Sequence, residues 1–269
     1  MVTTLKPGER LIPEDNQTPI IQIQVLRHLF VYEHVKSRLN QNDKVLDLGF
    51  GEGYGTSLLA ENCREIVGVD VDQKIVDYAN ERHQKANCRF LKYDGNTLPF
   101  DNDTFDIVVS FQVIEHIDNE PAFVSEIHRV LKQGRRLLLT TPNKATRLKP
   151  GQKPFNRFHK REYYSHELQK TLSHKFQNVS VWGVSATAEI HRIEFARIQR
   201  GGLMNALINL GLRKLLPESV DLALAKFVGN LRRKKEPDST TPKIFALSDF
   251  RVEKEKVDES LDLFAVCIK

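Results

Sequence analysis

Three glycines at alternate positions, Gly49, Gly51 and Gly53, follow Asp47 in the run VLDLGFGEGYGT over residues 45–56. A side chain at those positions would hold a ligand away from the backbone. Glycine lets it lie against N–H groups at the start of a helix, where partial positive charge favours polar or anionic groups. Downstream, Asp70 ends the run EIVGVD, at the distance where a carboxylate accepts both hydrogen bonds of a ribose diol. Asp94, in FLKYD, is placed to accept from an adenine amino group, and Phe111, in FDIVVSF, to touch an apolar ring. A tight turn explains glycines taken singly, and a helix-capping acid explains Asp47 taken singly. Together the residues point to a nucleotide-like ligand.

A second set of residues suits proton transfer. His116 in VIEHI and His159 in FHKREY follow two further apolar runs, and a neutral imidazole takes a proton near neutral pH. Against this stand a loop-fixing role for His116 and a surface position for His159 beside Lys160 and Arg161. The remaining histidines fall in helical or insert patterns and receive no role.

These residues need elements to hold them. Residues 20–39 read as an amphipathic helix. Strands follow at 44–49, 65–70, 88–94, 105–111, 135–142, 178–184 and 261–269, with helices at 54–62, 72–86, 120–132 and 165–175. Alternating strands and helices predict an α/β fold with a mostly parallel seven-stranded sheet and helices on both faces. The glycines and the acids then fall at the C-terminal ends of successive strands, where open sheets of this kind bind ligands. The chain divides into a core over 1–185 that includes the N-terminal helix, a helical basic insertion over 186–245, and a strand region over 246–269 that completes the sheet. Within the insertion, Leu203, Leu207 and Leu210 recur at helical spacing, as do Leu224, Phe227, Val228 and Leu231. The run RRKKEPDSTTP adds positive charge. Two amphipathic helices are expected, packing on the sheet edge or capping the acceptor site and leaning on an anionic lipid surface.

Composition bounds the rest. The chain has 269 residues, 40% of them hydrophobic and 28% charged, with a formal net charge of +5. That is ordinary for a globular protein, and no apolar run reaches the roughly 20 residues of a membrane span. Cys63, Cys88 and Cys267 form no CxxC pair, so reduced thiols, a cytoplasmic location and no zinc site are expected. The run MVTTLKPGERLIPEDNQ has no apolar core behind a basic start, so a secretory signal is not expected. Nucleic acid is not expected as a partner, because basic residues do not interleave with aromatics.

Dinucleotides and S-adenosylmethionine both carry an adenosine ribose, and the glycines alone leave the two open. The runs VLDLGFGEG, VGVDVD, LPFDNDTFDIVVSFQVIEHI and RVLKQGRRLLLTTPN in combination resemble the class I S-adenosylmethionine-dependent methyltransferases. GERLIPE and KPFNRFHKREYYSHELQKTL are similar to a bacterial branch found among enzymes of cell-surface glycan synthesis. The resemblance implies S-adenosylmethionine as cofactor and O-methylation of a small or lipid-linked acceptor such as a sugar. A metal-dependent ribose or quinone O-methyltransferase is the alternative, and an NAD-dependent oxidoreductase the more distant one. Carried over by position, Asp47, Gly49, Gly51 and Gly53 hold the methionine end, with Asp47 meeting the ammonium through a water, and Asp70 takes the ribose. Val71 flanks the adenine, Asp94 and Gly95 bind its edge, and Ser110 with Phe111 closes the pocket floor. Related quinone and small-RNA ribose methyltransferases ligate a divalent cation through E-x-x-E-H. Here Gln112 replaces the first glutamate, so no metal is expected. Glu115 is left to orient His116 or Arg129, or to serve as a first-turn helix acid.

Overall fold

The computed structural model describes residues 18–154, 156, 158–199 and 244–269. The GERLIPE run and the leucine-spaced segments between 203 and 231 lie outside the described residues. Helix α1 (Pro19–Lys36) begins with proline in its first turn, and the Thr18 side chain accepts from the Ile21 N–H. It ends three residues earlier than the periodicity suggests. Strand β1 (Lys44–Leu48) leads into α2 (Tyr54–Leu59), β2 (Glu65–Asp70), α3 (Gln73–His83) and β3 (Cys88–Lys92). Strand β4 (Phe105–Phe111) is followed by α4 (Glu120–Val130), β5 (Leu131–Pro142), a single turn α5 (Lys144–Arg147) and α6 (Ser165–Ser173). Then come β6 (Asn178–Ala186), α7 (Ala188–Gln199), β7 (Phe250–Glu253) and β8 (Asp262–Ile268).

Eight strands form the sheet, one more than the sequence suggests, in the order β3-β2-β1-β4-β5-β8-β6-β7. The strand the sequence did not show is β7, four residues long and paired only with β6 at the sheet edge. FRVE alternates apolar and polar residues as an edge strand does, but four residues are too short a run for that alternation to stand out from a loop. Strands β1 to β5 pair in parallel, and β8 runs antiparallel between β5 and β6. Strand β5 starts earlier than expected, at Leu131, with a register irregularity before regular pairing resumes at Arg136.

Both faces of the sheet are covered, so the central strands are apolar throughout. Val45, Ile66, Val109 and Leu138 face α1, α2 and α3 with Val31, Tyr32, Leu59 and Ile75. Leu46, Val67, Val108 and Leu139 face α4 and α6 with Ile127, Leu168 and Leu172. Helix α7 opens the segment the sequence assigns to an insertion, and its Ile190 packs with Ile23, Phe245, Phe250 and Leu261 in a third cluster. Among the described residues no helix is long and apolar enough to cross a membrane. The strand order reverses direction at β1 and β4, which opens a crevice at their C-terminal ends.

Candidate active site

The glycine loop leaves β1 at that crevice. Gly49, Gly51 and Gly53 have φ of +81°, +60° and +86°, the left-handed region where only glycine is unstrained. Gly49 has a second reason to be glycine, because an added Cβ would lie 2.4 Å from Val113 Cγ2 in the loop after β4. At Gly51 an added Cβ would meet nothing within 4 Å. The backbone there borders open space.

Asp47 is fully buried one turn below. Its Oδ2 accepts from the Tyr32 hydroxyl at 3.2 Å and from the Thr56 hydroxyl at 2.7 Å. Its Oδ1 is buried without a hydrogen-bond partner. Burial raises the Asp47 carboxyl to about 7, against the pull of the two hydroxyls, with Asp70 adding to the rise. Asp70 ends β2, nearly buried, and accepts from the Asp72 N–H at 3.0 Å, with Val71 half-buried between them. Asp94 lies two residues beyond β3, followed by Gly95 at φ +83°. Its Oδ1 accepts from the Asn96 and Thr97 N–H groups at 2.8 Å each, which holds the carboxyl below its ordinary range. Ser110 is fully buried and donates to the Leu48 carbonyl at 3.0 Å, tying β4 to β1. Phe111 meets Tyr32 edge to face with centroids 4.9 Å apart.

The second cluster gathers after β4 and β5. Ile114–His116 form a 3-10 turn. His116 Nδ1 lies 3.2 Å from the Phe158 carbonyl, and His159 Nδ1 lies 2.8 Å from Glu162 Oε1. The two rings sit edge to face at 4.8 Å. Glu162 is buried, and its other oxygen takes Arg147 Nε at 3.1 Å. Burial raises the Glu162 carboxyl, but Arg147 and His159 outweigh it and hold it below the ordinary value. Burial lowers His116 to about 4, with His159 adding to the fall, and burial lowers His159 as well, against Glu162. Both imidazoles are therefore neutral at pH 7.

Glu115 sits in the first turn of the Ile114–His116 3-10 helix, and it is not the partner of Arg129. Its carboxyl is 1% exposed, Oε2 accepts from Thr141 at 2.9 Å, and Oε1 has no partner. Burial raises it to about 8. Arg129 instead pairs with Glu126 and donates to the Leu98 and Phe100 carbonyls. Gln112, at φ +59°, turns its amide toward Thr140 at 3.4 Å. A third donor comes from elsewhere: Glu115, His116 and His159 each offer one ligand atom, all within 4.8 Å of one another. Among the described residues it is the only such group.

Sequence reasoning missed Tyr32, Thr56, Glu162 and Arg147. Glu162 leaves one trace, since acid three residues after His159 is a spacing that can close locally. His159 is not the surface residue its basic neighbours suggest, as its side chain is 7% exposed.

A methyltransferase domain family matches residues 46–139, from β1 through most of β5. A relative from Mycolicibacterium smegmatis, named "Probable S-adenosylmethionine-dependent methyltransferase", is 39% identical over 171 residues, 61% of this chain and 62% of its own length. This chain carries a class I S-adenosylmethionine-dependent methyltransferase domain. A phthiotriol/phenolphthiotriol dimycocerosates methyltransferase from Mycobacterium leprae is 30% identical over 113 residues, 41% of this chain and 42% of that one. Among solved structures, the YcgJ protein of Bacillus subtilis aligns with 90% of this chain and 98% of its own at a TM-score of 0.54 and 20% identity, a likeness of fold. The chain thus spans about 60% of the length of the first of these relatives. The residues present fit the methyltransferase donor. Asp47 keeps a buried oxygen without a partner, and the loop at Gly51 faces open space that a ligand can fill.

Proposed function

We propose that the protein transfers a methyl group from S-adenosylmethionine to a hydroxyl of a small or lipid-linked acceptor such as a sugar, with His159 as the base. The observation that carries this reading is a neutral imidazole held by a buried carboxylate, His159 on Glu162, at the sheet edge that also bears the glycine loop. With Nδ1 on Glu162, Nε2 is the nitrogen available to a hydroxyl proton. The sulfonium donor supplies an electrophilic methyl. The chain's part is to hold the acceptor in line, exclude water and take the proton. In this reading Asp47, Gly49, Gly51 and Gly53 hold the methionine end and Asp70 the ribose. Val71, Asp94 and Gly95 surround the adenine, and Phe111, packed on Tyr32, closes the pocket floor. Ser110 acts from beneath by fixing β4 to β1. The lipid acceptor named for the Mycobacterium leprae relative supports a lipid-linked acceptor here, as does the basic run at 232–235.

Calorimetry with S-adenosylmethionine and S-adenosylhomocysteine tests the donor. Both are expected to bind, and Asp70→Ala weakens them by about 1–3 kcal/mol through lost charge-assisted hydrogen bonds. Binding of a nicotinamide dinucleotide in their place overturns the reading. On acceptors screened by release of S-adenosylhomocysteine, His159→Ala lowers kcat about 100-fold or more while donor affinity stays within twofold.

The cluster of Glu115, His116 and His159 favours a second reading, a metal-dependent O-methyltransferase. Two neutral imidazoles oriented through Nδ1, beside a carboxylate with an unpartnered oxygen, suit a transition ion better than magnesium. A chelator separates the two. Transfer that stops in chelator and returns with manganese or zinc supports the metal reading, and unchanged transfer supports His159 as a base.

A further inference from the structure

Two residues of α1, one helical turn apart, reach the glycine loop. Tyr32 donates to Asp47 Oδ2, and His28 Nδ1 lies 2.5 Å from the hydroxyl of Tyr54, the residue after Gly53. The rings of His28, Tyr32 and Tyr54 meet edge to face at centroid distances of 5.3 to 6.0 Å. Burial lowers His28 to about 4, so it joins this cluster as a neutral ring. Thr56, from α2, takes the same Asp47 oxygen as Tyr32. Both hydroxyls therefore converge on Oδ2 and neither on Oδ1, which is buried and unpartnered.

A buried carboxylate ordinarily carries a cation or a full set of donors, because a lone charge in the interior is costly. Asp47 makes no ion pair among the described residues. The titratable groups that act on it among the described residues are Tyr32 from α1, Asp70 from β2 and Cys88 from β3, and none of these is a cation. Among the described residues no cation meets Asp47, so its ionised form gains from a bound group that brings a positive charge. Class I donors carry one at their methionine end, an ammonium group.

We propose that α1 completes the donor site, with Tyr32 and Thr56 as positioning residues that hold Asp47 Oδ2 and so reserve Oδ1 for the donor's ammonium group. This rests on reading the glycine loop as a methyl-donor site. It assigns a binding role to a helix outside residues 46–139, the span of the matched domain. It also makes donor binding proton-linked. The ammonium meets the carboxylate form, so affinity rises with pH as Asp47 ionises at about 7 in the free protein. Each hydroxyl favours the carboxylate, so removing one moves that midpoint upward.

The test needs no acceptor. S-adenosylhomocysteine and 5′-methylthioadenosine share the adenosine and the sulfur, but only the first has the ammonium. Calorimetry between about pH 6 and 8.5 compares both ligands on the wild type, Tyr32→Phe and Thr56→Val. The proposal expects each substitution to weaken S-adenosylhomocysteine roughly tenfold near pH 7, to leave 5′-methylthioadenosine within about twofold, and to move the pH midpoint for S-adenosylhomocysteine upward. Thr56→Val leaves α1 intact, so it stands if Tyr32→Phe fails to fold. Equal losses for the two ligands, or no loss for either, overturn the proposal and reduce Tyr32 to packing. A wild type that binds neither ligand overturns the donor reading itself.

Discussion

Gly51 separates a backbone need from a ligand need. Its φ of +60° disfavours any side chain, yet an added Cβ would touch nothing within 4 Å. Gly51→Ala should therefore cost about 1–2 kcal/mol of stability through conformation alone. If a donor lies against that backbone, S-adenosylhomocysteine affinity should fall far more, about 100-fold, as the methyl occupies the ligand's place. Thermal unfolding and calorimetry on the same variant check this, and a binding loss no larger than the stability loss counts against a ligand at Gly51. The glycines, Asp47, Asp70 and Asp94 were legible in the sequence because turn residues and strand-end acids are local signals. Tyr32 and Glu162 were not, since nothing in an 18-residue helix or in FHKREY says which distant carboxylate or imidazole each will meet.

At the scale of elements, α1 and α2 are matched through a missing side chain. A Cβ on Gly55 would lie 2.2 Å from Tyr32 Cζ, so the tyrosine ring occupies the room that glycine leaves. Gly55→Ala gains helix propensity of up to about 1 kcal/mol but overpacks the contact, which typically costs about 1–3 kcal/mol. The expected net result is a lower Tm and, because the ring carries the hydroxyl that holds Asp47, weaker binding of S-adenosylhomocysteine. Added to Tyr32→Ala, which already empties the contact, Gly55→Ala should cost no further Tm, and no affinity should return. Recovery of affinity in the double variant would detach the tyrosine from the donor site.

For the whole molecule, sheet order decides what can meet. Because β1 lies between β2 and β4, with β5 beyond, the glycine loop and the loops bearing His116 and His159 leave the same edge. On either side of the excursion between α7 and β7, Ile190 of α7 and Phe245 before β7 pack in the third apolar cluster. Replacing residues 200–236 with a short flexible linker should spare binding of S-adenosylhomocysteine and abolish transfer if the excursion shapes the acceptor site. Full transfer by that variant reduces the segment to packing. Salt-sensitive binding of the intact protein to anionic vesicles is expected if its basic run leans on a lipid surface, and no binding at low salt removes that role.

The sequence by itself determined the α/β class and the order of most elements, and it singled out the candidate donor-side residues. Periodicity of two against 3.6, and glycine at positions of positive φ, are written into short stretches of chain. Only the tertiary structure decided the eighth strand, the burial of Glu115, and the meeting of His116 with His159 some forty residues away. The expectation of a metal-free site turned on Gln112 alone, because neighbouring positions were all the local pattern could compare. Folding also brought His159 beside Glu115 and His116, a grouping that the local pattern does not contain. Such groupings depend on which strands become neighbours and on how loops close over their ends, and those choices are made by burial across the whole sheet.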